Sequence, residues 1–227
     1  MKIPYIIIFL LMLMPIYIFA EDYEYQYFHG EKEKYVPFSD YIPKVRLHYK
    51  TVPHYVEDYY QLYGMKQYYN ENSLRKNIER LKTALQCKFR HPSEALVKVE
   101  SEKEYKKYRK LMFMHINLLI MRNHMTIASR YDKQKIYFYN LEFSKDIRDS
   151  LDMADRYYRE ALPYWNEARR YAHEASRIKI TTDLSSMESE RSSIIKNDLN
   201  YEKIITSHLK KVDTKKKKLD KYLASGQ

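Results

Sequence analysis

Apolar residues recur every three or four positions over most of the chain beyond residue 72, a spacing that predicts amphipathic helices. The first predicted helix begins after Ser73, a candidate N-cap. It stops at His91-Pro92, because the residue before a proline avoids the helical conformation. Its apolar positions are Leu74, Ile78, Leu81, Leu85 and Phe89.

A second helix is predicted from Ser101 to about Arg130. Ser101 and Glu104 have the spacing of a capping box. Residues 111–121 are apolar nearly all round, which predicts a helix in the middle of the fold that is covered on several sides. This apolar stretch is too short to span a bilayer.

The strongest periodicity predicts a third helix from Asn140 to about Ile178. Many of its apolar positions are alanines, so a neighbouring helix can approach closely. Pro163 lies inside it and is expected to kink it near Arg159, whose carbonyl loses its hydrogen-bond partner. The apolar positions are Ile147, Leu151, Ala154, Tyr158, Ala161, Trp165, Ala168, Ala172, Ala175 and Ile178.

A fourth helix is predicted near the C-terminus, with Ile194, Ile195, Leu199, Ile205, Leu209 and Val212 as its apolar positions. A start at Asp183 would make it one long helix to about Leu223. No strand alternation persists. The fold class is therefore predicted as all-α, a helical bundle or helical-hairpin array with a Tyr-rich extended N-terminal arm and a long C-terminal helix.

Residues 21–72 differ from the later chain in their residue pattern. Pro37, Pro43 and Pro53 forbid a long helix there. A short helix is predicted near residues 56–63. The tyrosines of this segment supply contact area at low entropic cost. The arm either wraps the helices of its own chain or docks on a partner.

Residues 1–20 have the pattern of a secretory signal, with Lys2, an apolar run and Ala20 at the expected cleavage position. The alternative is an uncleaved N-terminal anchor. No cysteine follows the apolar run, which excludes a lipid-anchored lipoprotein. The predicted division is 1–20 signal peptide, 21–72 arm, 73–178 helical core, and 179–227 C-terminal helix with a basic end.

Composition removes several function classes. Three glycines, none of them close together, exclude dinucleotide fingerprints, phosphate loops and nucleophile elbows. Cys87 is the only cysteine, so no intramolecular disulfide forms, and its thiol is either packed or reactive.

The eight histidines prompt a search for a metal site. His115 and His124 are separated by nine positions on the second helix, so they face apart. His115 is either a hydrogen-bonded histidine or a proton carrier. No metal or other cofactor is predicted.

No enzyme is predicted either. Two carboxylate clusters, residues 100–104 and 149–155, are interleaved with basic residues, as on a solvated helix face. An enzyme would need a deep pocket lined by titratable groups near His115 or His124, and the sequence leaves open whether a pocket exists there.

The net charge of +11 comes from 41 Lys and Arg against 30 Asp and Glu. Nucleic acid is not the expected partner of an exported chain. The lysines near the C-terminus either contact an anionic lipid or wall polymer or form a solvated tail. They are Lys210, Lys211, Lys215, Lys216, Lys217, Lys218 and Lys221.

Tyrosine, with 25 copies, supplies the candidate protein-binding residues. Three of them recur every seven residues and form one stripe on the third helix, either a second packing face for the C-terminal helix or a partner site. The candidates are Tyr59, Tyr60, Tyr68, Tyr69, Tyr157, Tyr164 and Tyr171.

Ala154, Tyr158, Ala161 and Pro163 have the spacing of the second half of a tetratricopeptide repeat, and the segment resembles one such unit. No second copy recurs, so the resemblance implies helical-hairpin packing and not a repeat array.

Four further segments carry a resemblance to a known family: residues 87–96 (CKFRHPSEAL), 111–121 (LMFMHINLLIM), 136–140 (IYFYN) and 161–165 (ALPYW). Over about residues 73–178 the chain resembles small periplasmic helical proteins of spirochaetes, in particular flagellar collar components. The resemblance implies a periplasmic scaffold that binds other collar proteins around the flagellar motor and supports motility. The alternative is a basic periplasmic module that binds anionic envelope polymer or lipid through its lysines.

Overall fold

The structure, a computed structural model, describes residues 52–68, 70–132 and 135–225. These residues form six α-helices and no β-strand, which confirms the all-α fold class and the long C-terminal helix. The helices are α1 Val56–Tyr59, α2 Glu71–Ala84, α3 Glu102–Tyr131, α4 Ser144–Ser176, α5 Ser185–Ile195 and α6 Tyr201–Ser225. The proposed signal, most of the arm and Tyr69 lie outside the described residues.

Helix α3 is central, as its all-round apolar stretch predicted. Its side chains at 111, 112, 114, 116, 118, 120 and 121 are fully buried. Helices α2, α4 and α5 all contact it. Ser101 caps the helix by accepting a hydrogen bond from the Glu104 N–H at 3.2 Å, which confirms the predicted start. The Glu104 carboxylate accepts from the N–H of Glu100, one residue before the cap.

Helices α3 and α4 form an antiparallel hairpin. Phe113 near the start of α3 packs on Tyr171 near the end of α4, and Tyr131 at the end of α3 stacks on Tyr157. The alanines at 154, 161, 168, 172 and 175 are fully buried on α4, so the two backbones approach closely. This contact is the most extensive between any two helices of the described chain.

Helix α6 packs on a neighbouring face of α4 and runs antiparallel to it. Trp165 meets Tyr201 edge to face with ring centroids 5.5 Å apart, and Tyr158 stacks on His208 at 4.8 Å. Helix α4 continues without interruption through Pro163.

Helix α2 begins and ends earlier than predicted. Its N-cap is Asn70, which accepts from the Asn72 N–H at 2.8 Å, and Ser73 lies within the first turn. The helix ends at Ala84, where the N–H groups of Gln86 and Cys87 bond to carbonyls three residues back. The Lys88 carbonyl beyond this turn accepts a hydrogen bond from the Val56 N–H at 3.1 Å. Phe89 then packs edge to face on Phe113 of α3 at 5.0 Å.

The predicted fourth helix is two helices, and the single-helix alternative from Asp183 is wrong. Asn197 adopts a left-handed conformation with φ 64°, which ends α5. Asn200 then accepts from the Lys203 N–H at 3.0 Å and starts α6. Asparagine is one of the few residues other than glycine that takes a left-handed conformation readily, which is the sequence signal for this break.

The short helix predicted near residues 56–63 is present as α1 followed by a π-helical turn, Tyr60–Gly64. This segment contacts α2 and α3. A Cβ on Gly64 would collide with the Tyr60 ring and would lie 3.2 Å from Leu119 of α3, so glycine permits the close packing of this turn.

The buried alanines of α4 generate a prediction about stability. Ala161 is fully buried, whereas Ala224, in the last turn of α6, is exposed. We expect Ala161→Leu to lower the free energy of unfolding by about 1–3 kcal/mol, because the added carbons force α3 and α4 apart. Ala224→Leu makes the same change at an exposed position and should alter it by less than about 0.5 kcal/mol. Urea unfolding monitored by circular dichroism measures both, and equal effects would contradict tight packing between α3 and α4.

Candidate functional site

An open groove of about 860 Å³ lies between α2, α3 and α4. We call it the His124 groove, after the α3 residue at its floor. Helix α2 supplies one wall and α4 the other. Its lining residues are Arg75, Lys76, Ile78, Glu79, Arg80, Lys82, His124, Arg156, Tyr157, Glu160, Pro163 and Tyr164.

Two buried polar side chains at the floor have no hydrogen-bond partner among the described residues. His124 is 4% exposed and Tyr157 is 3% exposed. The unpaired atoms are both ring nitrogens of His124 and the hydroxyl of Tyr157. The Nδ1 atom of His124 lies 3.4 Å from a carboxylate oxygen of Glu160 without forming a hydrogen bond. Buried polar groups are nearly always paired in native proteins, so two unpaired groups in one groove mark it as a candidate ligand site.

Aromatic stacking fixes the position of His124. Its ring stacks on Tyr164 with centroids 5.6 Å apart and is tilted against Tyr157 at 6.0 Å. Tyr157 and Tyr164 lie seven residues, or about two turns, apart on α4, so both face the same way. The imidazole therefore packs against two tyrosines of the same helix face.

Burial lowers the pKa of His124 to about 4, and the positive charge of Lys82 acts in the same direction. The carboxylate of Glu160 opposes this shift but does not outweigh it. His124 is therefore neutral at physiological pH, with one N–H donor and one acceptor nitrogen.

The rim of the groove is predominantly basic, with five Lys and Arg against Glu79 and Glu160. Three of the five cations have a carboxylate partner: Arg75 pairs with Glu71 at 2.6 Å, Lys82 with Glu79 at 3.2 Å, and Arg156 with Glu160 at 2.8 Å.

Lys76 and Arg80, one helical turn apart on α2, form no ion pair with any described residue. They are the uncompensated charges of the rim.

The structure divides the predicted tyrosine sites. Tyr157 and Tyr164 line the His124 groove, whereas Tyr171 packs on Phe113 beyond it, with Arg170 4.1 Å from its ring centroid. The stripe thus faces α2 and α3, and the C-terminal helix packs on the neighbouring face through Tyr158 and Trp165.

The N-terminal tyrosines lie elsewhere. Tyr59 is 3% exposed and contacts Tyr63, Tyr60 meets the edge of His115 at 5.6 Å, and Tyr68 is half-buried. Tyr69 is outside the described residues. The six described candidate tyrosines do not form one surface.

The predicted anionic-surface lysines are partly used within the chain. Lys215 bonds the Asp132 carboxylate at 2.5 Å, Lys216 pairs with Asp152 at 2.6 Å, and Lys217 pairs with Asp213 at 2.8 Å. The first two hold α6 against the hairpin. Lys210, Lys211, Lys218 and Lys221 are exposed, with Lys218 5.5 Å from the ring centroid of Tyr222.

His115 and His124 face apart, as their spacing predicted. The Nδ1 atom of His115 lies 2.5 Å from a carboxylate oxygen of Glu190 on α5, and Arg122 pairs with the other oxygen at 2.8 Å. Burial would raise the pKa of Glu190, but the hydrogen bond of His115 and the charge of Arg122 lower it overall. His115 is thus the hydrogen-bonded histidine of the two alternatives, and it joins α3 to α5.

A second titratable cluster, missed in the sequence, holds α1 against the helical core. The carboxylate of Glu57 accepts hydrogen bonds from the Arg90 N–H at 3.1 Å and the Tyr108 hydroxyl at 3.0 Å. The Arg90 guanidinium also pairs with Asp58 at 2.7 Å. Glu57 is 1% exposed, and burial raises its pKa to about 7 against the opposing effect of these hydrogen bonds.

Cys87 is half-buried, and its thiol donates to the Thr83 carbonyl at 3.4 Å. Burial raises its pKa, which favours the packed alternative over a reactive thiolate. Among the described residues, no group of three His, Cys, Asp or Glu is arranged to hold a metal ion. Over the same ranges, no helix has the length and apolarity to cross a membrane.

The chain belongs to the family described as "Domain of unknown function (DUF8513)", which matches residues 103–222. No curated protein and no solved structure gives a significant match. The family region runs from the first turn of α3 into the last turn of α6. It includes His124 and the α4 wall of the groove, whereas the basic α2 wall lies outside it.

The pKa of Glu57 generates a prediction about stability. Because its folded pKa is raised, stability is full below the unfolded value of about 4.5 and is lost as pH rises towards 7. We expect the free energy of unfolding of Glu57→Gln, measured relative to the natural protein, to rise by about 3 kcal/mol between pH 4.5 and pH 8. Glu142→Gln, an exposed control, should show no such trend. If the difference in free energy of unfolding between Glu57→Gln and the natural protein does not change with pH, burial does not raise the pKa of Glu57.

The pKa of His124 generates a prediction in which stability changes with pH in the opposite direction. Its folded pKa is lowered, so the folded state loses stability as pH falls from about 6.5 to 4. We expect the natural protein to lose about 3 kcal/mol over this range relative to His124→Gln. Denaturant unfolding at several pH values measures this difference. His173→Gln, an exposed histidine on α4, is the control, and equal behaviour of the two variants would count against a buried neutral His124.

Proposed function

We propose that the protein is an exported, non-enzymatic scaffold that binds other proteins in the periplasm, and that the His124 groove receives a segment of a partner. The observation that carries this proposal is the pair of buried polar groups on His124 and Tyr157 that have no partner among the described residues. Partner binding would supply the missing hydrogen bonds, each of which costs about 1–3 kcal/mol when left unmade in a buried site.

The walls of the groove support a binding role. Tyr164 and Pro163 offer apolar and aromatic area, and the α2 wall offers exposed cations. Three packed helices hold these groups in place, so little conformational entropy is lost when a partner binds. Tyrosine and arginine, with tryptophan, are enriched among the residues that dominate binding energy at protein interfaces.

The groove also has the titratable lining that an enzyme would need near His124. Two features favour binding over catalysis. A group with a pKa near 4 is a weak general base at neutral pH. The nearest carboxylate, that of Glu160, does not hydrogen-bond to the imidazole and so does not orient it as a catalytic partner would.

The finer part of the proposal rests on the resemblance to spirochaete flagellar collar components. On that basis the partner is another periplasmic protein of the collar, and the protein helps to assemble a ring around the flagellar motor. The buried alanines of α4 and the ion pairs of α6 would give such a ring a rigid building block.

Site-specific photo-crosslinking in the producing organism tests the proposal. A photoreactive amino acid replaces Arg80 in the groove or Lys211 on α6, and the crosslinked products are identified by mass spectrometry. We expect a discrete protein adduct from position 80 that is lost when Lys76 is also changed to Glu. Identification of motor proteins, together with weaker swimming of the Lys76→Glu/Arg80→Glu strain, would support the collar role.

The position-211 probe distinguishes the alternative function. Crosslinks to wall fragments or lipid from position 211, and none from position 80, would overturn the proposal and favour an envelope-binding module. In that case binding would weaken steeply with ionic strength, because exposed lysines act through screened charge. Lys210→Glu/Lys211→Glu is the matched control strain, since it reverses the same number of charges outside the groove.

A further inference from the structure

The charge of the His124 groove identifies the chemistry of its ligand. We infer that the partner segment is an acidic peptide, and that one of its carboxylates reaches the floor and accepts hydrogen bonds from the Tyr157 hydroxyl and the His124 ring N–H. This inference rests on the proposed function, because it names the partner class for the same groove.

The floor of the groove presents two unpaired hydrogen-bond donors, the Tyr157 hydroxyl and the single ring N–H of neutral His124, beside one unpaired acceptor nitrogen of the same ring. Glu160 lies 3.4 Å from Nδ1 of His124 without accepting a hydrogen bond, so the N–H left for a partner is the one on Nε2. Their rings are neighbours, with centroids 6.0 Å apart. A carboxylate has two acceptor oxygens, one for each of the two donors. A carboxylate is acceptor-only when ionised, and hydrogen bonds to it are stronger than those between neutral groups. A lysine or arginine of a partner could pair only with the acceptor nitrogen of His124 and the hydroxyl oxygen of Tyr157, which leaves the His124 N–H unpaired, and the basic rim would repel it.

The basic rim of the groove also favours a negatively charged ligand. Lys76 and Arg80 stand on the α2 wall, and no carboxylate of the described residues pairs with them. Arg75 lies 5.0 Å from the centroid of the Tyr157 ring and is already paired with Glu71, so it adds positive charge beside this ring. An acidic segment therefore meets neutralising charge along its length and hydrogen-bond donors at one point.

The α4 wall sets a second requirement, for apolar or aromatic side chains. Tyr164 and Pro163 lie beside the floor, and Ile78 of α2 is buried opposite them. Aromatic residues interspersed with the acidic ones would cover this wall. A peptide of alternating Glu and Tyr meets both requirements and is a suitable probe.

Fluorescence anisotropy with the purified full chain tests the inference. The probe is a fluorescein-labelled peptide of six Glu-Tyr repeats, with peptides of six Ser-Tyr and six Lys-Tyr repeats as charge controls. We expect the acidic probe to bind at least about tenfold more tightly than the Ser-Tyr peptide, and the Lys-Tyr peptide not to bind. Equal binding of the acidic and Ser-Tyr probes would overturn the inference.

Conservative variants locate the site. Tyr157→Phe removes only the floor hydroxyl and keeps the ring, so we expect about tenfold weaker binding of the acidic probe. Its melting temperature should equal or exceed that of the natural protein, because the hydroxyl that it removes is unpaired in the free chain. Tyr171→Phe lies on the same stripe beyond the groove and should bind as the natural protein does. If Lys76→Gln/Arg80→Gln weakens binding but Tyr157→Phe does not, the carboxylate does not reach the floor and the inference fails.

Two further measurements keep this inference separate from the proposed function. If the acidic probe does not bind but position 80 still crosslinks to a partner protein, the acidic ligand is refuted and the scaffold role is not. Vesicles of anionic phosphatidylglycerol provide the other test. If these vesicles bind the natural protein, and Tyr157→Phe weakens vesicle binding as much as it weakens binding of the acidic peptide, the groove recognises an anionic surface and not a peptide. That result would overturn the inference.

Discussion

The close contact between α3 and α4 is the constraint on which the other features depend. Fully buried alanines, Ala161 and Ala168 among them, lie along one line of α4 and let the two backbones approach. With α3 covered on that side, its remaining apolar faces are closed by α2 and α5. Larger residues along this line would separate the helices and expose the central helix, whose apolar positions extend nearly all round its axis.

The same contact creates the candidate site. Tyr157 and Tyr164 flank the alanine line on α4 and extend past α3 towards α2, where they enclose His124. The groove therefore depends on two adjacent faces of α4, one with small alanines that contact α3 and one with the large Tyr157 and Tyr164. Burial of His124 and Glu57 in this packed core also gives the protein two titratable groups whose effects on stability have opposite signs.

The differences between sequence expectation and structure have local causes. The C-terminal region satisfied helical periodicity throughout, yet the left-handed conformation of Asn197 and the cap at Asn200 divide it into two helices. The α2 helix ends early, and the residues beyond it are held by a backbone bond to Val56, more than thirty residues upstream of Lys88. Periodicity describes which face of a helix is apolar and carries no information about such distant backbone contacts.

Residue spacing alone was enough to predict the all-α class, the central position of α3, the cap at Ser101 and the opposite directions of His115 and His124, because each of these depends on the pattern along one helix. Spacing did not reveal that His124 meets Tyr157 and the α2 cations, or that Asp132 and Asp152 hold Lys215 and Lys216. Burial, pairing and pKa depend on which helix faces come together. Packing between distant segments makes that choice, and the pattern within any one segment does not contain it.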